Sequence, residues 1–179
     1  MIDEQGYRSN VGIIIVNKEG KLFWGKRVHQ DAWQFPQGGI RPHETPQQAA
    51  FRELKEEVGL SPSDVRVIGK TEDWLYYDLP SHLIRHHSHP VCVGQKQIWF
   101  MFGLVADDKA IQLETYSIPE FEDWRWVDYW LPVQDVVDFK RGVYQKALTE
   151  LEGAMHKFWL TSAEPRAESQ IDSQQDAVP

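Results

Sequence analysis

GGIRPHETPQQAAFRELKEEVGL, residues 38–60, is a glycine loop that runs into a helix. Thr45 is a good N-cap, and Pro46 sits at the first helical position, where a missing N–H costs nothing. Gln48 falls three residues after Thr45 and completes a capping box. Ala49, Ala50, Phe51, Leu54 and Val58 then form one apolar stripe. Gly59 supplies a left-handed stop, and Leu60 can fold back onto Leu54.

The opposite side of this helix is over-supplied with acid. Glu53, Glu56 and Glu57 stand at i, i+3 and i+4 and share one side. Like charges at that spacing repel, and in the last turns the helix dipole favours cations instead. Each effect costs from a few tenths to about 1 kcal/mol, all with the wrong sign. Two readings stand: a solvated acidic face relieved by Arg52 and Lys55, or a divalent-cation site, since clustered carboxylates bind hard cations.

The spacing favours the second. Gly38, then Glu44, then Arg52-Glu53-Leu54-x-Glu56-Glu57-x-Gly59-Leu60 resembles the Nudix box at every defined position. So many fixed positions arise by chance in less than about one in a million chains of this length. The resemblance to Nudix hydrolases implies cleavage of nucleoside diphosphates linked to another group, with Mg²⁺ or Mn²⁺ and more than one ion per site. It implies an α+β fold, an α/β/α sandwich with a mixed central β-sheet between helices. WQFPQGG, residues 33–39, resembles the subgroup of bacterial RNA pyrophosphohydrolases and dinucleoside polyphosphate hydrolases. The box itself does not identify the substrate.

Composition sets outer bounds. At 179 residues and 41% hydrophobic, the chain suits one domain with appendages. The domain is expected over residues 1–160, followed by a polar, disordered tail, residues 161–179, rich in Ser, Gln, Ala and Glu. The single cysteine, Cys92, rules out an internal disulfide framework and reads as a small core residue between Val91 and Val93. No long apolar run suggests a membrane span, and MIDEQGYRSN lacks a signal pattern, so a cytoplasmic monomer is expected. A net charge of −8 argues against broad nonspecific nucleic-acid binding, although a local basic patch is compatible with it.

Along the chain, residues 11–16 read as a buried strand and residues 22–27 as its hairpin partner across Asn17-Lys18-Glu19-Gly20. Pro36 confines residues 33–39 to an edge strand or loop. A further strand starts at Val65 and can continue through Trp74, Tyr76 and Leu79. Residues 80–90 form a loop with His82, His86, His87 and His89. No cysteine or paired carboxylate accompanies them, so the reading is a cluster whose charge rises near pH 6 rather than a zinc site. Residues 98–105 read as a central strand, with Gln95, Lys96 and Gln97 before it as donors suited to phosphate or base. Glu120 lies in a loop before a strand at residues 124–127. A helical region at residues 133–160 is interrupted near Lys140.

The resemblance also assigns roles. Glu53, Glu56, Glu57 and Glu120, with Gly38 as a backbone ligand, would hold the cations. Glu53 would be the general base, with Glu57 and Glu120 as rivals. Arg52 would orient Glu53 or Glu56, Glu44 would brace the loop, and Gly39 and Gly59 would be structural. Arg8, Arg27, Gln95, Gln97, Val137, Phe139 and Lys140 would form a pocket for an RNA end, with residues 137–141 a loop that stacks a base on Phe139 and grips phosphate with Lys140. The expected activity is removal of pyrophosphate from 5′-triphosphorylated RNA to leave a 5′-monophosphate, which promotes mRNA decay. Alternatives are a dinucleoside polyphosphate hydrolase, acting on molecules such as diadenosine tetraphosphate, and a non-catalytic nucleotide-sensing module.

Overall fold

The computed structural model describes residues 1–114 and 118–163. β1 (Tyr7–Val16) lies parallel to β7 (Gly94–Leu104), paired from Tyr7↔Gly94 to Val16↔Gly103. β2 (Leu22–Arg27) follows β1 through an Asn17-anchored turn and pairs antiparallel with β3 (Trp33–Gln34) and β8 (Phe121–Val127). β4 (Gln37–Gly39) pairs with β1, matching Gly38 to Val11. β5 (Val65–Lys70) and β6 (Leu75–Asp78) both run antiparallel to β7. The result is one mixed sheet with the order β3-β2-β1-β7-β5.

β1 from Val11 and β7 from Ile98 are apolar without interruption to their ends because both faces of the sheet are covered there. Strand alternation then sorts the side chains. Val11, Ile13, Ile15, Ile98, Phe100 and Phe102 meet Ala49, Ala50, Leu54 and Val58 of α1 (Pro46–Val58). Ile14, Val16, Trp99 and Met101 meet Tyr144, Leu148, Leu151, Met155 and Phe158 of α3 (Asp138–Ala163). This is the expected α/β/α sandwich. No helix among the described residues is long and apolar enough to cross a membrane.

Four local expectations need correction. The strand begun at Val65 does not continue through Trp74. Thr71 is wholly buried and bonds both ways with Trp99, which ends β5 before β6 begins. The helical region breaks at Val136 and Val137, between α2 (Leu131–Asp135) and α3, not at Lys140. Residues 138–141 are therefore the first turn of α3 rather than a loop. Cys92 is half-buried on the connection into β7, its thiol on the Gly94 carbonyl at 3.2 Å, and is not a core residue. Helix α3 also carries Thr161 through Ala163, three residues assigned to the tail; residues 164–179 lie outside the described part.

Candidate active site

The loop-to-helix junction folds as its sequence dictates. Thr45 Oγ1 accepts from Gln48 N at 3.2 Å, and Gln48 Oε1 accepts from Thr45 N at 2.9 Å. Gly59 closes α1 with φ 78°, its N–H donating to Lys55 O at 3.1 Å. That positive φ costs glycine little. Fixed at both ends, α1 turns its acidic side towards β4.

Arg52 is the hub of that side. Its Nε donates to Glu44 Oε1 at 2.7 Å, and its Nη2 donates to Glu44 Oε2 at 2.8 Å and to Gly39 O at 2.9 Å. Nη1 reaches Glu56 Oε2 at 3.3 Å and also binds Glu53 Oε1. The bidentate bond to Arg52 holds the Glu44 carboxyl down at about 2. Glu44 also accepts from Arg41 N at 2.9 Å, which ties the loop to the helix start. Arg41 Nη2 lies 3.2 Å from Glu56 Oε1, a partner the sequence reading missed.

Glu53 and Glu57 face a backbone cradle. A Cβ on Gly38 would stand 1.9 Å from Glu53 Cδ, so this position admits only glycine while Glu53 keeps its place. Burial pushes the Glu53 carboxyl up, and its bond to Arg52 opposes that. Glu57 Oε2 accepts from Gln37 N at 3.2 Å, and no cation pairs with Glu57 among the described residues. Burial pushes Glu57 well above the usual range, and the charges of Glu120 and Glu53 add to it. Glu120, at the foot of β8, is held by Arg27 Nε at 3.2 Å.

Glu53 stands against the Gly38 backbone, Glu57 on the Gln37 N–H, Glu56 on the same Arg52 guanidinium as Glu53, and Glu120 near enough to push Glu57 up, although among the described residues no three metal-binding side chains close on one point. Arg52 and Arg27 hold three of the four. The donor set fits a hard divalent cation: carboxylate oxygens only, a glycine backbone beside them, and in Glu57 a buried charge with no protein cation to offset it.

The residues expected to hold an RNA end divide by burial, with Gln95 half-buried on β7 and its Oε1 without a hydrogen-bond partner among the described residues. Arg8, Arg27, Val137 and Phe139 line the rim: Arg8 Nη2 would be 2.9 Å from a Cβ on Gly39, Val137 is exposed, and Phe139 packs 6.0 Å from Tyr77. Gln97 and Lys140 are buried instead. Lys140 Nζ turns inward to Gln34 Oε1 at 3.0 Å and Gln37 Oε1 at 3.3 Å, because the start of α3 lies flat on the sheet. Burial and nearby Arg27 lower Lys140 to about 8, opposed by Glu120 and Glu57. Gln97 Nε2 donates to Asn10 Oδ1 at 2.8 Å. Lys96 sits on the other face, paired with Asp3 at 2.7 Å. Asn10, Gln34 and the half-buried Gln37, missed from the sequence, form a polar floor with the buried Gln97 and Lys140. Their one legible signal was amides at inward-facing strand positions.

Known proteins resemble this chain over most of its length. The family described as NUDIX domain matches residues 6–150. An RNA pyrophosphohydrolase of Hydrogenovibrio crunogenus is 74% identical over 89% of this chain and 96% of its own. One of Thioalkalivibrio sulfidiphilus is 62% identical over 84% and 87%. Among solved structures, the E. coli dihydroneopterin triphosphate pyrophosphohydrolase superposes with TM-score 0.62 at 21% identity, over 80% of this chain and 98% of that one. A C. elegans Ap4A hydrolase superposes with TM-score 0.59 at 19% identity, over 82% and 98%. With its box intact around the Gly38 cradle and its match running almost the whole length of the folded part, the chain belongs to the Nudix hydrolase family.

Proposed function

We propose that this protein removes pyrophosphate from the 5′-triphosphate end of RNA and leaves a 5′-monophosphate, a step that promotes mRNA decay. The observation that carries RNA as substrate is the 74% identity, over nearly the whole of each chain, to a protein named for that reaction. The site supports the chemistry: all four carboxylates are present, which disfavours a non-catalytic sensing module.

Glu53, Glu56, Glu57 and Glu120, with backbone oxygen at Gly38, would hold Mg²⁺ or Mn²⁺, more than one ion per site. Such ions neutralise the phosphate chain and make bound water a stronger nucleophile at neutral pH. Glu53 takes the proton from the attacking water. Arg52 opposes the upward push of burial on that carboxylate and aims it, and the Gly38 backbone leaves it room. Arg8, against Gly39, and Arg27, on Glu120, bind the phosphate chain and place its anhydride bond over the carboxylates. Phe139 and Tyr77 offer aromatic faces for a base.

The test is RNA labelled at its 5′ γ-phosphate. Labelled pyrophosphate is the expected product; labelled orthophosphate would mean stepwise removal. The competing substrate is a dinucleoside polyphosphate, since the Ap4A hydrolase shares the fold. A kcat/KM much higher on diadenosine tetraphosphate than on triphosphorylated RNA would overturn the proposal.

A further inference from the structure

Among the described residues, Glu56 is the one proposed cation ligand held by arginine on both of its oxygens. Arg52 Nη1 lies 3.3 Å from its Oε2, and Arg41 Nη2 lies 3.2 Å from its Oε1. The two guanidiniums are not equivalent. The Arg52 side chain is 16% exposed and also bonds Glu44, Glu53 and Gly39 O, so it is built into the junction of loop and helix. The Arg41 side chain is 61% exposed, and its guanidinium meets only Glu56 among the described residues, through a single contact.

Arg41 is nonetheless rooted in place. Its N–H donates to Glu44 Oε2 at 2.9 Å, and its carbonyl accepts from Glu44 N at 3.2 Å. A tight turn thus pins its backbone to the start of α1 and leaves the side chain free to move. An exposed ion pair with one contact is weak and exchanges readily. A hard cation in the cradle needs carboxylate oxygens, and Arg41 covers one of them. Its charge is also felt at Glu53, where it joins Arg52 against the upward push of burial. Arg41 and a divalent cation therefore compete for the same negative charge.

We infer that Arg41 is a stand-in cation, which holds Glu56 while the cradle is empty, gives it up when Mg²⁺ or Mn²⁺ is bound, and then turns to the phosphate chain. The inference rests on the metal reading of the four carboxylates. It gives the substrate a phosphate contact beyond Arg8 and Arg27, and one that becomes available only in the loaded site. A guanidinium that has lost its carboxylate is matched by a phosphate oxygen, to which it bonds in the same geometry. Loading and substrate binding then favour each other, because the ion pair lost in the first step is replaced in the second.

The experiment is Mn²⁺ binding to the full chain without substrate, read from the electron paramagnetic resonance signal of the free ion. Arg41→Gln should bind Mn²⁺ about two- to fivefold more tightly than the wild type, the worth of a surface ion pair. Arg66→Gln removes an equal charge from β5, where Arg66 lies over the Phe158 ring, and should leave the affinity unchanged. At saturating Mg²⁺, Arg41→Gln should raise KM for triphosphorylated RNA by about three- to tenfold with kcat little altered, and Arg41→Lys should fall between. A residue that only shaped the loop would weaken metal and substrate together, so opposite signs are the signature of exchange. Mn²⁺ affinity unchanged or weaker in Arg41→Gln would overturn the inference and leave the metal reading standing. Tighter Mn²⁺ with an unchanged KM would overturn the turn to phosphate. A wild type that binds no Mn²⁺ would overturn the metal reading and this inference with it.

Discussion

At the residue scale, Glu53 is the most constrained side chain in the site, wedged between the Gly38 backbone and Arg52. Glu53→Gln keeps the shape and removes the base, so kcat should fall by about 10²–10⁴ while circular dichroism stays native. Turnover that survives in saturating Mg²⁺ would remove Glu53 from the mechanism. Glu44 contributes through its bond to Arg52, and its carboxyl is held at about 2 in the fold against an ordinary value of 4.5. Its stabilisation is therefore fully present above about pH 4.5 and is lost as pH falls through 2. Acid unfolding should be less steep across that window in Glu44→Gln. Lys140 has the opposite sense. Burial lowers it to about 8 from 10.5, so between those values the unfolded chain binds more protons than the folded one. Stability should rise with pH from 8 to 10.5 on its account. Urea unfolding of Lys140→Gln should lack that rise. The acidic side of α1 was legible from residue spacing alone. The inward turn of Lys140 was not, because a lysine in sequence carries no sign of which way its amine points.

At the element scale, β4 and α1 work as one unit, joined by the Arg52 bond to Gly39 O and the Gln37 N–H to Glu57. Gly38 is where they touch. Gly38→Ala places a methyl 1.9 Å from Glu53 Cδ, so the carboxylate must leave its position. The expected result is loss of most activity with only a modest drop in melting temperature, since the displaced group is one polar side chain at a cleft. Activity close to wild type would mean that Glu53 works from another position. The caps of α1 were readable because capping is local chemistry: Thr45, Pro46, Gln48 and Gly59 act within a few residues of themselves. The break after β5 was not, because Thr71 ends the strand by bonding to Trp99, 28 residues away.

At the scale of the whole molecule, the sandwich packs α1 against the sheet and brings Glu120, distant in sequence, to Glu57. Crowding four carboxylates destabilises the metal-free protein, and cations should relieve it. Melting temperature should rise with Mg²⁺ or Mn²⁺, by an amount equivalent to about 2.7 kcal/mol at a hundredfold excess over Kd. Glu57→Gln should melt higher than wild type in EDTA and respond less to the metal. A melt unmoved by either ion in the wild type would defeat the metal reading. By itself the sequence determined what depends on near neighbours: the helix and its caps, the carboxylate spacing, the doubly buried strands, and through the motif the family. Only the tertiary structure decided which long-range partners meet. It set Glu120 beside Glu57, Lys140 against Gln34 and Gln37, and Arg8 against Gly39. Those meetings depend on sheet order and on the way α3 lies across it, and no local run of residues encodes a contact made by packing at a distance.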